Sequence, residues 1–548
     1  MKILISPKNS YVTRITALLL AILICLVGCK REGESCTQDS VTPPSQTDEA
    51  PSYKVAYVPL DNRPVNKERV IYLAQSANVE LLMPDEVLYR TALDDMPPNK
   101  DGSTLGNRQR LLEWLKLADK ECDHFIISLD QMTSGGLVGS RWLCNEDLTL
   151  EYSIIDAVLK LGESNTVYLF DTVMRLASTV GYHGYGLEEY TATRTYGEQA
   201  RKELADDALT VDNIIDAYPY GQNGELIVSE LSASELDRYH AARARKLRLA
   251  DYVLRRMEGK IGFFYIGVDD SSPKSTIQTN EINYINSLRG ENSTLGSATD
   301  EIAMCCLARM INELYGINVA VNVTFFGSGQ NKPADSFDVG SLAESVSSHL
   351  EALWADKAKN SDNFLDVLCL TRESSDNERE ALIERLKHDQ NKKIPTVLID
   401  VSGTPELLAK MLIADSSVDL CRIFGYSSWN TASNAIGIAL SQGVSRYGYL
   451  QSVARSSQYA ANGFLRSLTF SFIKDISYKC FHPDLDGFMT DVYPCSADDV
   501  LSRINSGRVI TSLNGYKTDP HAEISISDLR YPWNRTFEAT FDIKIKKG

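Results

Sequence analysis

Histidine is scarce in this chain, seven in 548 residues, and no two are spaced as a ligand pair. A histidine-rich zinc site is thereby disfavoured, and so is a serine hydrolase triad. The sequence contains no G-x-S-x-G elbow, no H-E-x-x-H, no phosphate-binding P-loop and no G-x-G-x-x-G after a strand, so the best-understood hydrolase, metalloprotease and nucleotide-binding classes lack their signatures. Long apolar runs are also missing beyond the N-terminus, and no later stretch approaches the length needed to span a bilayer. An excess of positive charge is absent too. The formal net charge is −17, and removal of residues 1–28, with Lys2, Lys8 and Arg14 and no acids, would leave −20. Nucleic acid is therefore not an expected partner. The stripe Arg243, Arg245, Lys246, Arg248, Arg255 and Arg256 reads as a solvated helix face opposite Leu247, Ala250, Leu254 and Met257.

What is present begins with a signal. A basic start precedes the apolar run Ile15–Val27, which ends in Leu26-Val27-Gly28-Cys29, a lipobox whose cysteine takes lipid before cleavage on its N-terminal side. Residues 1–28 are thus expected to be a signal peptide. Residues 29–52, rich in Ser, Thr, Pro and acids, are expected to be a disordered tether. The folded part would face outside the cytoplasm, held to the membrane by lipid on Cys29. Of eleven cysteines, Cys25 leaves with the signal and nine others are scattered without metal-ligand spacing. Cys480 and Cys495, which bracket a loop-like segment, are either a disulfide or two free thiols.

After the tether, apolar runs alternate with amphipathic helices. The strand-like runs are Lys54–Leu60, Val79–Met83, His124–Leu129, Thr166–Phe170, Ile261–Val268, Asn318–Phe325, Leu365–Leu370, Thr396–Val401 and Cys421–Tyr426; the helices include Asn107–Lys120, Leu150–Leu161, Tyr239–Glu258, Asp300–Tyr315 and Asp376–Asp389. Strands apolar on both faces and separated by helices imply an α/β fold with parallel sheets covered on both sides. About nine such units suit either a (β/α)8-like barrel or two to three doubly wound Rossmann-like sheets, with a small C-terminal appendage. Residues 53–330 are expected to form a first α/β region carrying an acidic site, 331–455 a second, and 456–548 an appended region.

Polar residues collect where these strands end: Asp61, Asn62 and Arg63; Asp130, followed by Arg141; Asp171 and Arg175; and Asp269-Asp270. Carboxyl ends of parallel strands form the ligand crevice of such folds, so these side chains should converge. An Asp after a strand is equally a helix cap, and Asp61 beside Arg63 is either a local ion pair or a ligand clamp. The adjacent pair Asp269-Asp270 is more pointed, because close carboxylates at the rim of a core push one pKa upward. Asp300 and Glu301 sit in a first helical turn, where acids ordinarily complement the dipole. The tract from Gly425 to Asn434, with Trp429, Asn430 and Asn434, combines an aromatic platform with amides that suit a polyhydroxylated ligand; Trp429 could equally close the core.

PLDNRP, SLDQMTSGGLVGSR, GVDDS, the ATDE of Ala298–Glu301, GYSSWNTASNAIG and the YPWNRTFE of Tyr531–Glu538 together resemble the bacterial family catalogued as domain of unknown function 4127, from about Tyr53 to Phe541. Two stretches depart from its pattern: ATDE would usually read GADE, and Val401–Thr404 lacks the Asn-Gly-Gly-Asp expected there. The resemblance implies a shared polar site and names no reaction.

The residues favour a surface-tethered hydrolase acting on carbohydrate, with Asp270 as acid and Asp269 as its partner. Asp61, Asn62, Arg63, Asp130, Arg141, Asp171, Arg175, Asn430 and Asn434 would bind substrate and Trp429 would stack on a sugar. No cofactor is required. Two rivals are a non-enzymatic lipoprotein binding a small solute or glycan, and a metal-dependent hydrolase with a hard cation on Asp269, Asp270, Asp300 and Glu301.

Overall fold

The computed structural model describes residues 50–359, 363–478 and 495–546. The expected signal segment and residues 29–49 of the expected tether, with Cys29, lie outside the described residues, as does Cys480 of the candidate disulfide; Ser52, at the end of that tether, already bonds the Asn78 carbonyl at 2.9 Å, and Cys495 is buried. No helix among the described residues is long and apolar enough to cross a membrane.

Two parallel sheets form the frame. The first contains β1 (Tyr53–Val58), β2 (Val79–Leu82), β3 (His124–Ser128), β4 (Thr166–Val173), β5 (Phe263–Val268) and β6 (Ser293–Ser297), in the order β2-β1-β3-β4-β5-β6. The second contains β7 (Val319–Phe326), β8 (Ala355–Lys357), β9 (Leu365–Leu370), β10 (Thr396–Asp400) and β11 (Ile423–Ser427), in the order β8-β7-β9-β10-β11. The barrel alternative is therefore excluded, and the architecture is two doubly wound sheets. Both begin with the same order: second strand, first, third, fourth, fifth. Each thus reverses direction beside its first strand, where a crevice opens at the carboxyl ends. Because β7 already belongs to the second sheet, the passage between sheets precedes it and does not fall at residue 330.

The chain lies in five layers. Between the sheets, helices Ile302–Tyr315 and Ala432–Ser452 pack on each other and bury one face of each sheet, including Tyr57, Phe170 and Tyr265 from the first and Val367, Val397 and Phe424 from the second. Every residue from Ala432 to Leu450 is buried, which suits a helix with no charged side chain except Arg446. Gly437 permits its close approach: a Cβ there would stand 2.4 Å from Glu301 Cγ. Helices Arg108–Ala118, Thr149–Leu161 and Ala233–Leu254 cover the outer face of the first sheet, and Asp376–Lys392, Pro405–Ala414 and Ala497–Asn505 that of the second.

The region after Ser456 adds two small antiparallel pairs, β12 (Val509–Ser512) with β13 (Lys517–Asp519) and β14 (Ile524–Arg530) with β15 (Thr540–Ile545). It is integrated with the rest. Helix Gln458–Phe472 packs on helix Glu68–Ser76 of the first sheet, and the loop between β14 and β15 returns to the ends of the first sheet's strands.

Candidate functional site

The crevice of the first sheet is built from the residues that follow its strands. After β1, the Asp61 carboxylate folds back to accept the Arg63 backbone N–H at 3.0 Å and the Asn66 amide at 3.0 Å, which fixes a tight turn. Arg63, buried by this turn, then bridges three carboxylates: Asp61 at 2.8 Å, Asp300 at 2.5 Å and Glu538 at 3.3 Å. The Trp533 ring covers it, with the guanidinium carbon 4.7 Å from the ring centre. Burial drives the Asp300 carboxyl up to about 7; Arg63 opposes this and Glu538 and Asp61 reinforce it.

After β5, the two adjacent carboxylates turn to different arginines. Arg141 donates to Asp269 through Nε at 3.1 Å and through Nη2, and Thr299 donates to the other oxygen at 3.1 Å. Asp270 pairs with Arg175 at 3.2 Å. Its backbone is in the left-handed region at φ +24, costly for a residue with a Cβ, and both neighbours hold it there: Gln278 donates to the Asp269 carbonyl at 3.0 Å and the Ser271 N–H donates to Phe337 at 2.9 Å. Burial and the Asp269 charge raise the Asp270 pKa against the pull of Arg175, Arg141 and Arg194, yet a quarter of its side chain stays open to solvent.

The loop after β7 completes this side. Its Asp338 is 2% exposed, one carboxyl oxygen lacks a hydrogen-bond partner, and burial together with Asp335 and Glu301 raises it to about 8, with a bond from Ser433 opposing. Glu301 is itself pinned by the Thr299 N–H at 3.0 Å, Asn434 at 2.5 Å and His349 at 3.3 Å. Near neutrality Asp300 is therefore partly protonated and Asp338 largely so.

Asp61, Arg63, Arg141, Arg175, Asp269, Asp270 and Asp300 thus gather at one rim. Asp130 and Asp171 do not join them. Both accept from Lys246 beneath helix Ala233–Leu254, on the outer face of the sheet, and Thr172 donates to Asp130 at 2.8 Å. Alternation along β4 explains this, since Phe170 faces the inner core and Asp171 the outer one. It also corrects the solvated basic stripe, because Arg243, Arg245 and Lys246 are buried in ion pairs with Glu281, Glu151 and the two aspartates. Asn62 turns to the loop after β2, accepting from Thr91 N–H at 3.2 Å. Trp429 cannot stack on a ligand: it is fully buried, donates to the Phe537 carbonyl at 2.7 Å and lies under Lys474. Asn430 is exposed and lines a cavity of about 80 Å³ at the ends of the second sheet's strands, with Asp335, Arg372 and Asp400.

Several residues at the rim carried no site role in the sequence: Trp533, Arg535 and Glu538, Asp338 and Arg194. The first three stand in YPWNRTFE, whose only signal was membership in the family pattern. The four carboxylates considered for a cation do not form a cage, as Asp269, Asp270 and Asp300 each face an arginine and Glu301 faces His349 and Asn434. Among the described residues no group of three His, Cys, Asp or Glu is placed to hold a metal ion.

A family model described as "Protein of unknown function (DUF4127)" matches residues 55–542. No curated protein and no solved structure matches the chain.

Proposed function

The chain belongs to the DUF4127 family, whose description assigns no reaction, and we propose from the chemistry of its crevice that it is a hydrolase cleaving glycosidic bonds in carbohydrate. The observation that carries this reading is the pair Asp269-Asp270: one carboxylate is locked by Arg141 and Thr299, while burial and that neighbouring charge raise the proton affinity of the next, which is partly open to solvent. A carboxyl group whose proton affinity is raised at a crevice rim is the equipment of a general acid.

Asp270 donates its proton to the leaving glycosidic oxygen as the bond to the anomeric carbon breaks. Water adds to that carbon, and Asp300, whose pKa of about 7 suits proton exchange near neutrality, takes the water's proton. Asp269 does not touch substrate in this scheme; with burial, its charge raises the proton affinity of its neighbour. Arg63 holds Asp300 in place.

The lipobox ending in Cys29 supports an exterior location with the catalytic body tethered by lipid, suited to gathering glycans. Cys29→Ala should then shift the chain from the membrane fraction to the soluble fraction.

The test is turnover of a panel of glycans and aryl glycosides by the full chain and by Asp270→Asn. Hydrolysis lost in the variant with an unchanged melting temperature supports the reading; full activity in Asp270→Asn overturns it. Tight solute binding without cleavage by the wild type would favour the receptor reading.

A further inference from the structure

Around the segment Ala177–Val180, after β4, three guanidiniums converge. Arg175 donates to the carbonyls of Ala177, at 3.0 Å, and Ser178; Arg141 reaches the Thr179 hydroxyl at 3.5 Å; and Arg535 donates to the Val180 carbonyl at 3.1 Å. Arg63 adjoins them through Trp533, whose ring has the guanidinium carbons of Arg63 at 4.7 Å and of Arg535 at 5.3 Å. Four cations thus share a small part of a chain whose net charge is −17.

Their partners are unevenly divided. Arg63 has Asp61, Asp300 and Glu538, Arg141 has Asp269 and Arg175 has Asp270. Arg535 makes no ion pair among the described residues, and the Val180 carbonyl takes only one of its five N–H donors. Two further buried donors at this place lack a partner, the Ser178 hydroxyl and the Trp533 indole N–H. Burial and the neighbouring Arg63 depress Arg535 to about 10; Glu538 partly offsets them and Arg175 and Arg141 add to them. A half-buried guanidinium whose unused donors reach solvent, among like charges, is what an arriving anion would relieve.

We propose that the crevice recognises a sugar bearing an oxyanion, a carboxylate, sulfate or phosphate, gripped by Arg535 with help from Ser178 and Trp533. The planar fork of a guanidinium matches any of these groups through two parallel N–H bonds, whereas a neutral sugar would leave the charge uncompensated. The inference rests on the hydrolase reading only for its choice of sugar as the carrier; the anion site follows from the arginines alone.

Titration calorimetry on the full chain with glucuronate, N-acetylglucosamine 6-sulfate, glucose 6-phosphate and glucose tests this. At least one acidic sugar should bind about tenfold or more tightly than glucose, weaken when ionic strength rises from about 0.05 to about 0.5 M, weaken about tenfold in Arg535→Gln and recover in part in Arg535→Lys. Which acidic sugar binds identifies the anion. Equal binding of glucose and its acidic counterparts, or unchanged affinity in Arg535→Gln, overturns the proposal. Should Arg535→Gln fail to fold, Ser178→Ala takes its place, with a loss of about threefold or more expected and no loss overturning the proposal. Acidic sugars bound without any glycan cleaved would sink the hydrolase and leave the anion site standing; neutral glycosides cleaved as readily as acidic ones would do the reverse.

Discussion

Asp269 and Asp270 are consecutive in the chain yet answer to different arginines, Arg141 and Arg175, because the left-handed backbone at Asp270 swings its carboxyl away from its neighbour's. The two share one field while having separate partners. That combination keeps one carboxylate locked and biases the other toward its protonated form.

Replacing Asp270 by Asn keeps the shape and tolerates the left-handed backbone, which Asn visits more readily than most residues. Turnover should fall by about 10² to 10⁴, the usual worth of a general acid, while the melting temperature holds within a few degrees. Asp270→Val, which places a β-branched side chain at φ +24, should lower the melting temperature and is the informative contrast.

The strands of this fold were legible because parallel strands covered on both faces are apolar throughout, and all nine expected runs are strands. The two strands of the parallel sheets that escaped are instructive. β6, STLGS, is half polar, and β8 has three residues. The choice between barrel and sheets lies in pairing order, which is decided by contacts distant in sequence and leaves no local mark. Site residues show the same division. Asp61 and Asp269 could be read from their place after strands, but the arginine with unused donors, Arg535, comes from a loop that meets Arg63 through Glu538 across 475 residues of chain. Trp429 misled for a related reason: its neighbours in sequence are polar, and the groups that bury it, Lys474 and Phe537, are far along the chain.

Trp429 is accordingly a stability residue. Trp429→Ala removes a fully buried indole and its bond to Phe537, and should cost about 3–5 kcal/mol in a urea titration. Any remaining folded fraction should bind ligand with wild-type affinity. A large loss of affinity without loss of stability would return Trp429 to the binding surface.

Asp338 makes the protein sensitive to alkali. In the folded chain its proton stays until about pH 8, whereas in the unfolded chain it leaves at about 3.9. Between those values the native state binds more protons, so stability falls as pH rises, by at most about 1.4 kcal/mol per unit. Asp171, Asp300 and Asp389, raised to about 7, add to the slope at lower pH and have largely ionised by pH 8. The melting temperature should therefore keep falling between pH 7 and pH 8.5 in the wild type and flatten over that interval in Asp338→Asn. Identical slopes in the two proteins would contradict the assignment.

Lys246 gives the sharpest test of the outer face. Its ammonium is the shared partner of Asp130 and Asp171, both buried, and among the described residues only Thr172 donates to them from a side chain besides it. Lys246→Met fills the same space but leaves two carboxylates facing each other in a low dielectric, and breaking such a buried pair costs about 3–5 kcal/mol. Protonation relieves that cost, and Asp171 already holds its proton to about pH 7 with the lysine in place. The deficit measured by urea unfolding should thus be large at pH 8 and shrink at pH 5.5, and adding Asp171→Asn to Lys246→Met should recover part of it at pH 8. Because the cluster lies beneath helix Ala233–Leu254, away from the crevice rim, folded Lys246→Met should bind ligand as the wild type does. A pH-independent deficit would mean that the lysine matters for its packing alone and not for the charges it joins.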